Sequence, residues 1–271
     1  MSSALAESIT IAGLPARRTR TSDGRPPILF LHGAFVTHES FARWQDALAE
    51  QGWGGVAVSY RGRLGVPPDH AAGLRVADYV EDARRAVACL DEAPVLMGHS
   101  LGGLVAMKLL EEGLGCAAVL LAPAPSGMLT AQAAALPSYL PMLPSILAGR
   151  SFLPPAGTCN RIVLNRMPAA ERPIFHGALV PESGLVYREL MGGAVRVDAA
   201  RIRRPLLVMG GSQDRVISVA LLRRTASNLG ATLRLLPGRG HLFFAEPGWT
   251  DLVPEVAAWL GRAVAASRAA A

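Results

Sequence analysis

The fold class predicted by the sequence is α/β, with a mostly parallel β-sheet covered by helices on both faces. Short apolar runs, each the length of a buried strand, alternate along the chain with amphipathic stretches of helical periodicity. The chain has 271 residues, enough for one large domain, and no linker divides it. The alternation breaks down over residues 123–197, where a helical insertion is expected.

The predicted strands are apolar throughout, which is typical of strands buried on both faces of a parallel sheet. They are residues 27–31, 93–97, 117–121 and 205–210, and a short one that ends before Pro237. Helices are predicted after Gly102, and near the end of the chain, where Leu252, Val256, Trp259 and Leu260 face inward.

One helix is defined by periodicity alone. Its apolar stripe consists of Val76, Tyr79, Val80, Ala83, Val87 and Leu90. The residues expected to face away from the core are Glu81, Asp82, Arg84 and Arg85. Such a stripe predicts a helix that packs one face against the sheet.

Ser100 stands in a Gly-His-Ser-Leu-Gly sequence between a predicted strand and a predicted helix. A serine on so sharp a turn has backbone angles that most residues resist, and Gly98 and Gly102 are needed because a Cβ there would strike the neighbouring strand or helix. This context, rather than the five residues alone, indicates a nucleophilic serine presented at the edge of the sheet.

A serine nucleophile needs a base, and the base needs a carboxylate to orient it. Five further histidines compete for the role of base: His32, His38, His70, His176 and His241. We favour His241, because it follows a short apolar strand in a loop that begins with Gly240. His32 is interpreted as a brace for its own loop.

The carboxylate is assigned to Asp214, which follows the buried strand 205–210 and therefore lies at the same sheet edge as Ser100 and His241. The earlier strand 117–121 ends without a carboxylate, and Glu246 follows His241 too closely to reach round it.

An acyl-transfer intermediate also needs two N–H donors for its oxyanion. One is assigned to the backbone N–H of Leu101, at the start of a helix. The second is assigned to Ala34, in the loop that follows strand 27–31, with Phe35 as the second choice.

The insertion over residues 123–197 divides the predicted core into residues 1–122 and 198–271. It leaves the sheet beyond the strand that follows the serine turn, so we expect it to cover Ser100 as a lid. The pocket residues predicted for this arrangement are Phe35, Met128, Tyr139, Met142, His176, Tyr187, Arg188 and Leu242. The insertion has six arginines and three carboxylates, which favours a substrate with a carboxylate or another electron-rich group.

Composition excludes several other classes of protein. The net charge of +6 comes from scattered arginines without interleaved aromatic residues, so no nucleic acid partner is expected. The three cysteines have no pattern that indicates a disulfide framework or a zinc site, and no cofactor or metal is expected. Without a secretory segment or an apolar stretch of membrane-spanning length, the expected location is the cytoplasm. The sequence leaves the oligomeric state open.

The chain resembles the α/β-hydrolase superfamily over about residues 9–260. The matching motifs are His32-Gly33-Ala34, residues 98–103, residues 211–214 and Gly240-His241, and the order Ser100, Asp214, His241 is that of this superfamily. The resemblance implies an eight-stranded sheet, a triad of these three residues and a cap domain. It does not define the substrate.

This sequence lacks features of several branches of the superfamily, which narrows the branches that it can belong to. A serine nucleophile argues against the haloalkane dehalogenases and epoxide hydrolases, and a cap without lysine argues against the cyanohydrin lyases. Carbon–carbon bond hydrolases carry a longer glycine-rich oxyanion loop, although Arg166 or Arg188 keeps that alternative open.

The predicted function is hydrolysis of a carboxylic ester of a small to medium apolar molecule through an acyl-enzyme. Two alternatives stay open. The same triad also suits thioester hydrolysis, acyl transfer, ring closure or carbon–carbon cleavage in a biosynthetic or catabolic pathway. The other alternative is a non-hydrolytic enzyme or a binding module on the same fold.

Overall fold

The computed structural model describes residues 6–269 apart from 23, 65, 66, 131, 133 and 134. The strands are β1 (Glu7–Ile11), β2 (Leu14–Thr19), β3 (Ile28–Leu31), β4 (Gly55–Val58), β5 (Val95–His99), β6 (Ala117–Leu121), β7 (Ser151–Phe152), β8 (Glu182–Ser183), β9 (Leu206–Gly211) and β10 (Thr232–Leu236). The helices are α1 (Ala42–Glu50), α2 (Val76–Val87), α3 (Leu101–Glu111), α4 (Leu136–Tyr139), α5 (Leu143–Ala148), α6 (Ala156–Ile162), α7 (Arg172–Gly177), α8 (Gly184–Gly192), α9 (Val219–Leu229) and α10 (Leu252–Ala269).

Eight strands form one sheet in the order β1-β2-β4-β3-β5-β6-β9-β10. From β4 to β10 every neighbouring pair is parallel, and β2 is antiparallel to both β1 and β4. Helices cover both faces, with α1 against α10 and α2 against α3. The structure therefore confirms the predicted α/β class and the mostly parallel sheet.

The central strands are buried along their whole length, which explains why they are apolar. Every residue of β3, β5 and β6 is buried. The register aligns Leu31 with Gly98 and His99 with Leu121, and on the far side Gly211 aligns with Leu236. The carboxyl ends of these strands thus reach the same edge of the sheet, and the loops that follow them lie side by side.

Asp82 corrects one prediction about α2. The helix has the predicted apolar stripe, but Asp82 is fully buried rather than exposed. Its carboxylate accepts hydrogen bonds from the Arg61 backbone N–H at 2.8 Å and from the Arg61 guanidinium at 2.6 Å. A buried charge of this kind is stable only when it is paired, and its partner lies on a different segment.

Residues 123–197, between β6 and β9, contain α4 to α8 and the two-stranded β7–β8 ladder. A small hydrophobic cluster within this segment includes Tyr139, Met142, Ile146 and Phe152, and Phe35 of the core belongs to it. The segment therefore has a core of its own that extends onto the loop after β3.

A buried ion pair joins this segment to the sheet domain. The Arg63 guanidinium lies 2.5 Å from the Glu182 carboxylate, and both side chains have no exposed surface. Tyr79 of α2 donates its hydroxyl to Glu182 at 2.7 Å, and Arg63 also donates to the Pro181 carbonyl at 2.6 Å. The Ser183 N–H donates to the same carboxylate at 2.7 Å. Arg63 and Tyr79 would lose these partners if the segment separated from the core.

We predict that Glu182→Leu lowers the free energy of unfolding by about 3–5 kcal/mol, because it leaves the Arg63 charge buried and unpaired. Chemical denaturation with urea measures the loss. The double variant Arg63→Met/Glu182→Leu, which removes both charges, is expected to recover most of it.

The matched control for this prediction is Glu255→Ala, which removes one partner of the exposed pair with Arg234. Such a surface pair contributes about 0–1 kcal/mol. A loss no larger for Glu182→Leu than for Glu255→Ala would contradict the role assigned to the buried pair.

Candidate active site

Ser100 lies on a strained turn between β5 and α3. Its φ of 52° and ψ of −116° are angles that a residue with a side chain rarely adopts. The Ser100 N–H donates to the Leu121 carbonyl at 2.9 Å, and the Ser100 carbonyl accepts from the Ala124 N–H at 2.8 Å. These bonds to flanking backbone hold the turn, which places Ser100 on the wall of a cavity.

The glycines around Ser100 sit where no side chain fits. A Cβ on Gly98 would lie 2.3 Å from the Gly102 carbonyl oxygen, and one on Gly102 would lie 2.0 Å from the Leu31 carbonyl oxygen. In both cases the obstacle is backbone of the sheet or of α3, which cannot rotate away. The packing therefore agrees with the prediction that a Cβ at either glycine would collide with a neighbouring strand or helix.

His241 and Asp214 form a buried hydrogen-bonded pair. The His241 Nδ1 lies 2.8 Å from the Asp214 Oδ2. The other carboxylate oxygen accepts from the Val216 N–H at 2.7 Å and from the Ile217 N–H at 2.9 Å. With Nδ1–H donating to the carboxylate, the Nε2 of His241 carries the free lone pair, which is the form required of a general base.

The Ser100 and His241 side chains line the same cavity, although no hydrogen bond between them is present in the structure. The serine hydroxyl turns about a single bond, and such contacts are commonly long without substrate and shorten when it binds. The fold thus brings the predicted nucleophile, base and acid to one sheet edge.

His99, within the serine turn, supports the His241 loop through a hydrogen bond and a ring contact. Its Nε2 lies 3.2 Å from the His241 carbonyl oxygen, and the two rings are 4.7 Å apart. Burial, reinforced by the neighbouring His241, lowers the pKa of His99 well below its usual range, so the ring is neutral and donates through Nε2–H. Nothing in the sequence pattern distinguishes this histidine, and sequence reasoning missed its role.

Glu246 supports the same loop from the other side. Its carboxylate oxygens accept from the Gly240 N–H at 2.9 and 3.1 Å. The side chain is buried, and burial raises the pKa of the carboxyl group. Sequence reasoning weighed Glu246 only as a rival to Asp214. The structure shows instead that it holds the residue directly before His241.

The loop after β3 passes beside the serine turn. A Cβ on Gly33 would lie 2.9 Å from the His99 Nδ1 and 3.3 Å from the Ser100 Cβ. The His32 ring bridges this loop to the next, with Nδ1 2.8 Å from the Gly33 carbonyl oxygen and Nε2 accepting from the Tyr60 N–H at 3.2 Å. His32 therefore braces the loop, as predicted, and is not a base.

The predicted oxyanion donors lie on either side of Ser100. Ala34 lines the cavity, and Leu101 is the first residue of α3, where backbone N–H groups have no partner within the helix. Phe35, the second choice, has a φ of 64° and its carbonyl accepts from the Val180 N–H at 2.8 Å. The assignment of Ala34 and Leu101 stays a prediction.

The cavity beside Ser100 has a volume of about 290 Å³ and mostly apolar walls. Five of the predicted pocket residues line it, namely Phe35, Tyr139, Met142, Tyr187 and Leu242. Helix α7 and the loop after it contribute Phe175, Ala178 and Leu179, which sequence reasoning did not select. A helix this short carries too few residues for a periodic signal to mark the face that meets the cavity.

Three predicted pocket residues lie elsewhere. Met128 is 55% exposed and borders a different groove. His176 does not line the cavity, and its Nε2 lies 3.0 Å from the Pro154 carbonyl oxygen. Arg188 is exposed and donates to the Leu147 carbonyl at 3.3 Å. Their prediction as cavity residues is wrong, because each side chain finds solvent or backbone partners outside the cavity.

The arginines between residues 123 and 197 do not line the cavity either. The expectation of a substrate carboxylate, which rested on their number, is therefore not supported by their positions. Charged side chains at the cavity are the exposed Glu39 and Arg43 at its rim.

Within the described part of the chain, no group of His, Cys, Asp and Glu side chains has an arrangement that could hold a metal ion. None of the helices described there has the length and apolarity needed to cross a membrane.

The family model of the alpha/beta hydrolase family matches residues 28–251. The chain belongs to this family, which confirms the resemblance seen in the sequence. No curated protein is significantly similar to it in sequence.

Solved structures share the fold over nearly their full length. A hydrolase from Pseudomonas aeruginosa PA01 has a TM-score of 0.70 and 19% identity, covering 96% of this chain and all (100%) of its own. A putative non-heme bromoperoxidase from Mycobacterium tuberculosis H37Rv has a TM-score of 0.70 and 19% identity over 95% and 97%. The monoacylglycerol lipase of Paleococcus ferrophilus has a TM-score of 0.68 and 21% identity over 91% and 98%. Identities this low show a shared fold.

We predict that Gly102→Ala abolishes turnover of p-nitrophenyl butanoate and destabilises the fold, because the new methyl group would overlap the Leu31 carbonyl. The control is Gly261→Ala in α10, where a Cβ meets nothing within 4 Å. That change is expected to leave turnover intact and to stabilise the helix by about 0.5–1 kcal/mol. Equal activity of the two variants would contradict the packing described for the serine turn.

We also predict that Glu246→Ala lowers kcat by about tenfold or more with little change in KM, since it frees the Gly240 N–H at a cost of about 1–3 kcal/mol and loosens the His241 loop. Glu246→Gln keeps one acceptor oxygen and is expected to recover most of the loss. Steady-state kinetics measures both. A rise in KM alone, or no recovery by glutamine, would rule out a positioning role for Glu246.

Proposed function

We propose that the protein hydrolyses carboxylic esters of neutral, small to medium apolar molecules through an acyl-enzyme on Ser100. The observation that carries the proposal is the buried Asp214–His241 pair, whose histidine shares one cavity with a serine on a strained turn. Strain of this kind at a cavity wall is typical of a catalytic nucleophile. The apolar walls favour a neutral substrate.

In the first half of the proposed reaction, the Ser100 oxygen attacks the ester carbonyl carbon while the His241 Nε2 takes the hydroxyl proton. The backbone N–H groups of Ala34 and Leu101 hold the oxyanion that forms. Asp214 keeps His241 in the required tautomer and stabilises its positive charge. Collapse of the intermediate breaks the bond to the alcohol oxygen, which receives the proton from His241.

In the second half, water attacks the acyl carbon and gives a proton to His241, which returns it to Ser100 as the acid leaves. Residues 123–197 act as the cap over this cavity in the proposal. Tyr139, Met142 and Tyr187 come from that segment and contribute to the cavity wall.

Similarity to known proteins supports ester chemistry over the alternatives. Proteins of the same fold include, by their printed descriptions, the lipase named above and an esterase from a Rhodococcus species, with 21% identity and a TM-score of 0.65. The carbon–carbon hydrolase alternative relied on Arg166 or Arg188, and neither lines the cavity. The cytoplasmic location stays a prediction.

We predict that Ser100→Ala lowers kcat/KM for p-nitrophenyl butanoate by about 10³-fold or more, because triad members act as a unit. The control is Ser227→Ala, an exposed position in α9 far along the chain from the cavity loops. Circular dichroism checks that both variants are folded. Retention of more than a tenth of the wild-type rate by folded Ser100→Ala would refute the proposal, and a panel of thioesters and vinylogous diketones then separates the remaining reactions.

A further inference from the structure

Two tyrosines from different helices line the cavity. Tyr139 ends α4 and Tyr187 lies within α8, and both line the cavity. Among the hydrogen bonds of the described residues, none involves either hydroxyl. Burial raises the pKa of Tyr139 to about 12 and that of Tyr187 well above its usual range, so both remain neutral O–H donors.

An unpartnered hydroxyl in a largely apolar wall is unfavourable unless something in the cavity meets it. Buried polar groups in proteins are almost always hydrogen-bonded. The hydroxyl of Tyr79 follows this rule, since it donates to Glu182 at 2.7 Å. Phenylalanine at 139 and 187 would fill the same space without leaving a donor unpaired. Unlike Tyr60, whose hydroxyl also lacks a partner among the described residues, Tyr139 and Tyr187 line the cavity, so a ligand atom there can accept from them.

The surroundings hold the Tyr187 ring in place. Its centroid lies 5.3 Å from that of the Phe35 ring and 5.4 Å from that of the Phe152 ring. The Phe35 and Phe152 centroids are 5.2 Å apart. This aromatic cluster adjoins the loop that carries Ala34. The direction of the Tyr187 hydroxyl is thus set before a substrate binds, which reduces the entropy lost on binding.

Tyr139 lies near Asp214, the acid of the proposed triad. Its hydroxyl is close enough to Asp214 for the carboxylate charge to contribute to its raised pKa, after burial. Tyr139 contributes in the same way to the raised pKa of Tyr187, so the two phenols face a common region. The guanidinium nearest to Tyr187, that of Arg63, is already paired with Glu182. The hydrogen-bond donors that the two tyrosines offer in this region are therefore neutral.

We propose that the Tyr139 and Tyr187 hydroxyls bind a neutral oxygen atom of the substrate, such as a ketone, hydroxyl or ether oxygen distant from the scissile ester. The protein then selects oxygenated chains over hydrocarbon chains of equal length. The kinetic test of this inference rests on the proposed ester hydrolysis, whereas the binding test depends on the cavity alone.

The kinetic test uses matched esters. One series compares p-nitrophenyl hexanoate with analogues in which one methylene is replaced by an ether oxygen or a carbonyl group. The other compares alkyl butanoates with analogues that carry the same replacement in the alcohol part. At least one oxygenated ester is expected to exceed its all-carbon partner about tenfold in kcat/KM, the effect of one or two hydrogen bonds. Tyr139→Phe and Tyr187→Phe are each expected to bring that ratio down severalfold, and the double variant to about one.

Tyr60→Phe is the matched control, because the Tyr60 hydroxyl has no hydrogen-bond partner among the described residues and does not line the cavity. It is expected to leave the ratio unchanged. If the wild type hydrolyses all-carbon esters through Ser100 but prefers no oxygenated ester, or if the Phe variants keep the preference, the tyrosine site is refuted while the proposed function stands.

The binding test decides the inference even if no ester is turned over, an outcome that would refute the proposed function alone. Calorimetry compares 2-octanone with methyl heptyl sulfide, a chain of similar length whose sulfur is a weak acceptor. The affinity advantage of the ketone is expected to fall about tenfold in the double variant relative to wild type. An unchanged advantage would overturn the inference.

Discussion

The backbone turn at Ser100 is the constraint on which the rest of the site depends. The chain leaves β5 and enters α3 through a residue with positive φ, in a space so tight that neither Gly98 nor Gly102 can carry a Cβ. Only a surrounding structure that determines every neighbouring atom can maintain such a conformation. Here β3, β6 and the start of residues 123–197 all contact the turn, so the position of the nucleophile is fixed by the packing of the whole sheet.

Buried polar contacts hold the other groups in position. The Asp214 carboxylate is saturated by His241 and two backbone N–H groups, and the His241 loop is held by His99 and Glu246. Each of these buried groups would be costly without its partner. The result is a preorganised site, since the base is oriented before any substrate arrives.

Apart from the four-residue β4, the sequence predicted the strands that are buried along their whole length. Prediction failed for strands with polar residues and for short elements. Strand β6 was predicted to the residue because it is uniformly apolar, whereas β2 contains Arg17 and Arg18 and has no such run. Asp82 was placed on the solvent side because helical periodicity cannot reveal a partner on another segment. The triad loops follow apolar strands and were predicted, but the cavity faces of α4 to α8 depend on tertiary packing that short helices do not encode in their pattern.

Covalent labelling tests whether His241 activates Ser100 as a nucleophile. A fluorophosphonate probe is expected to add once per chain, on the peptide that contains Ser100. His241→Ala is expected to slow this labelling strongly, because the hydroxyl then lacks its base. Intact mass and peptide mass spectrometry report both results. Attachment to another residue, or labelling that proceeds equally well without the imidazole, would contradict the claim that Ser100 is a nucleophile activated by His241.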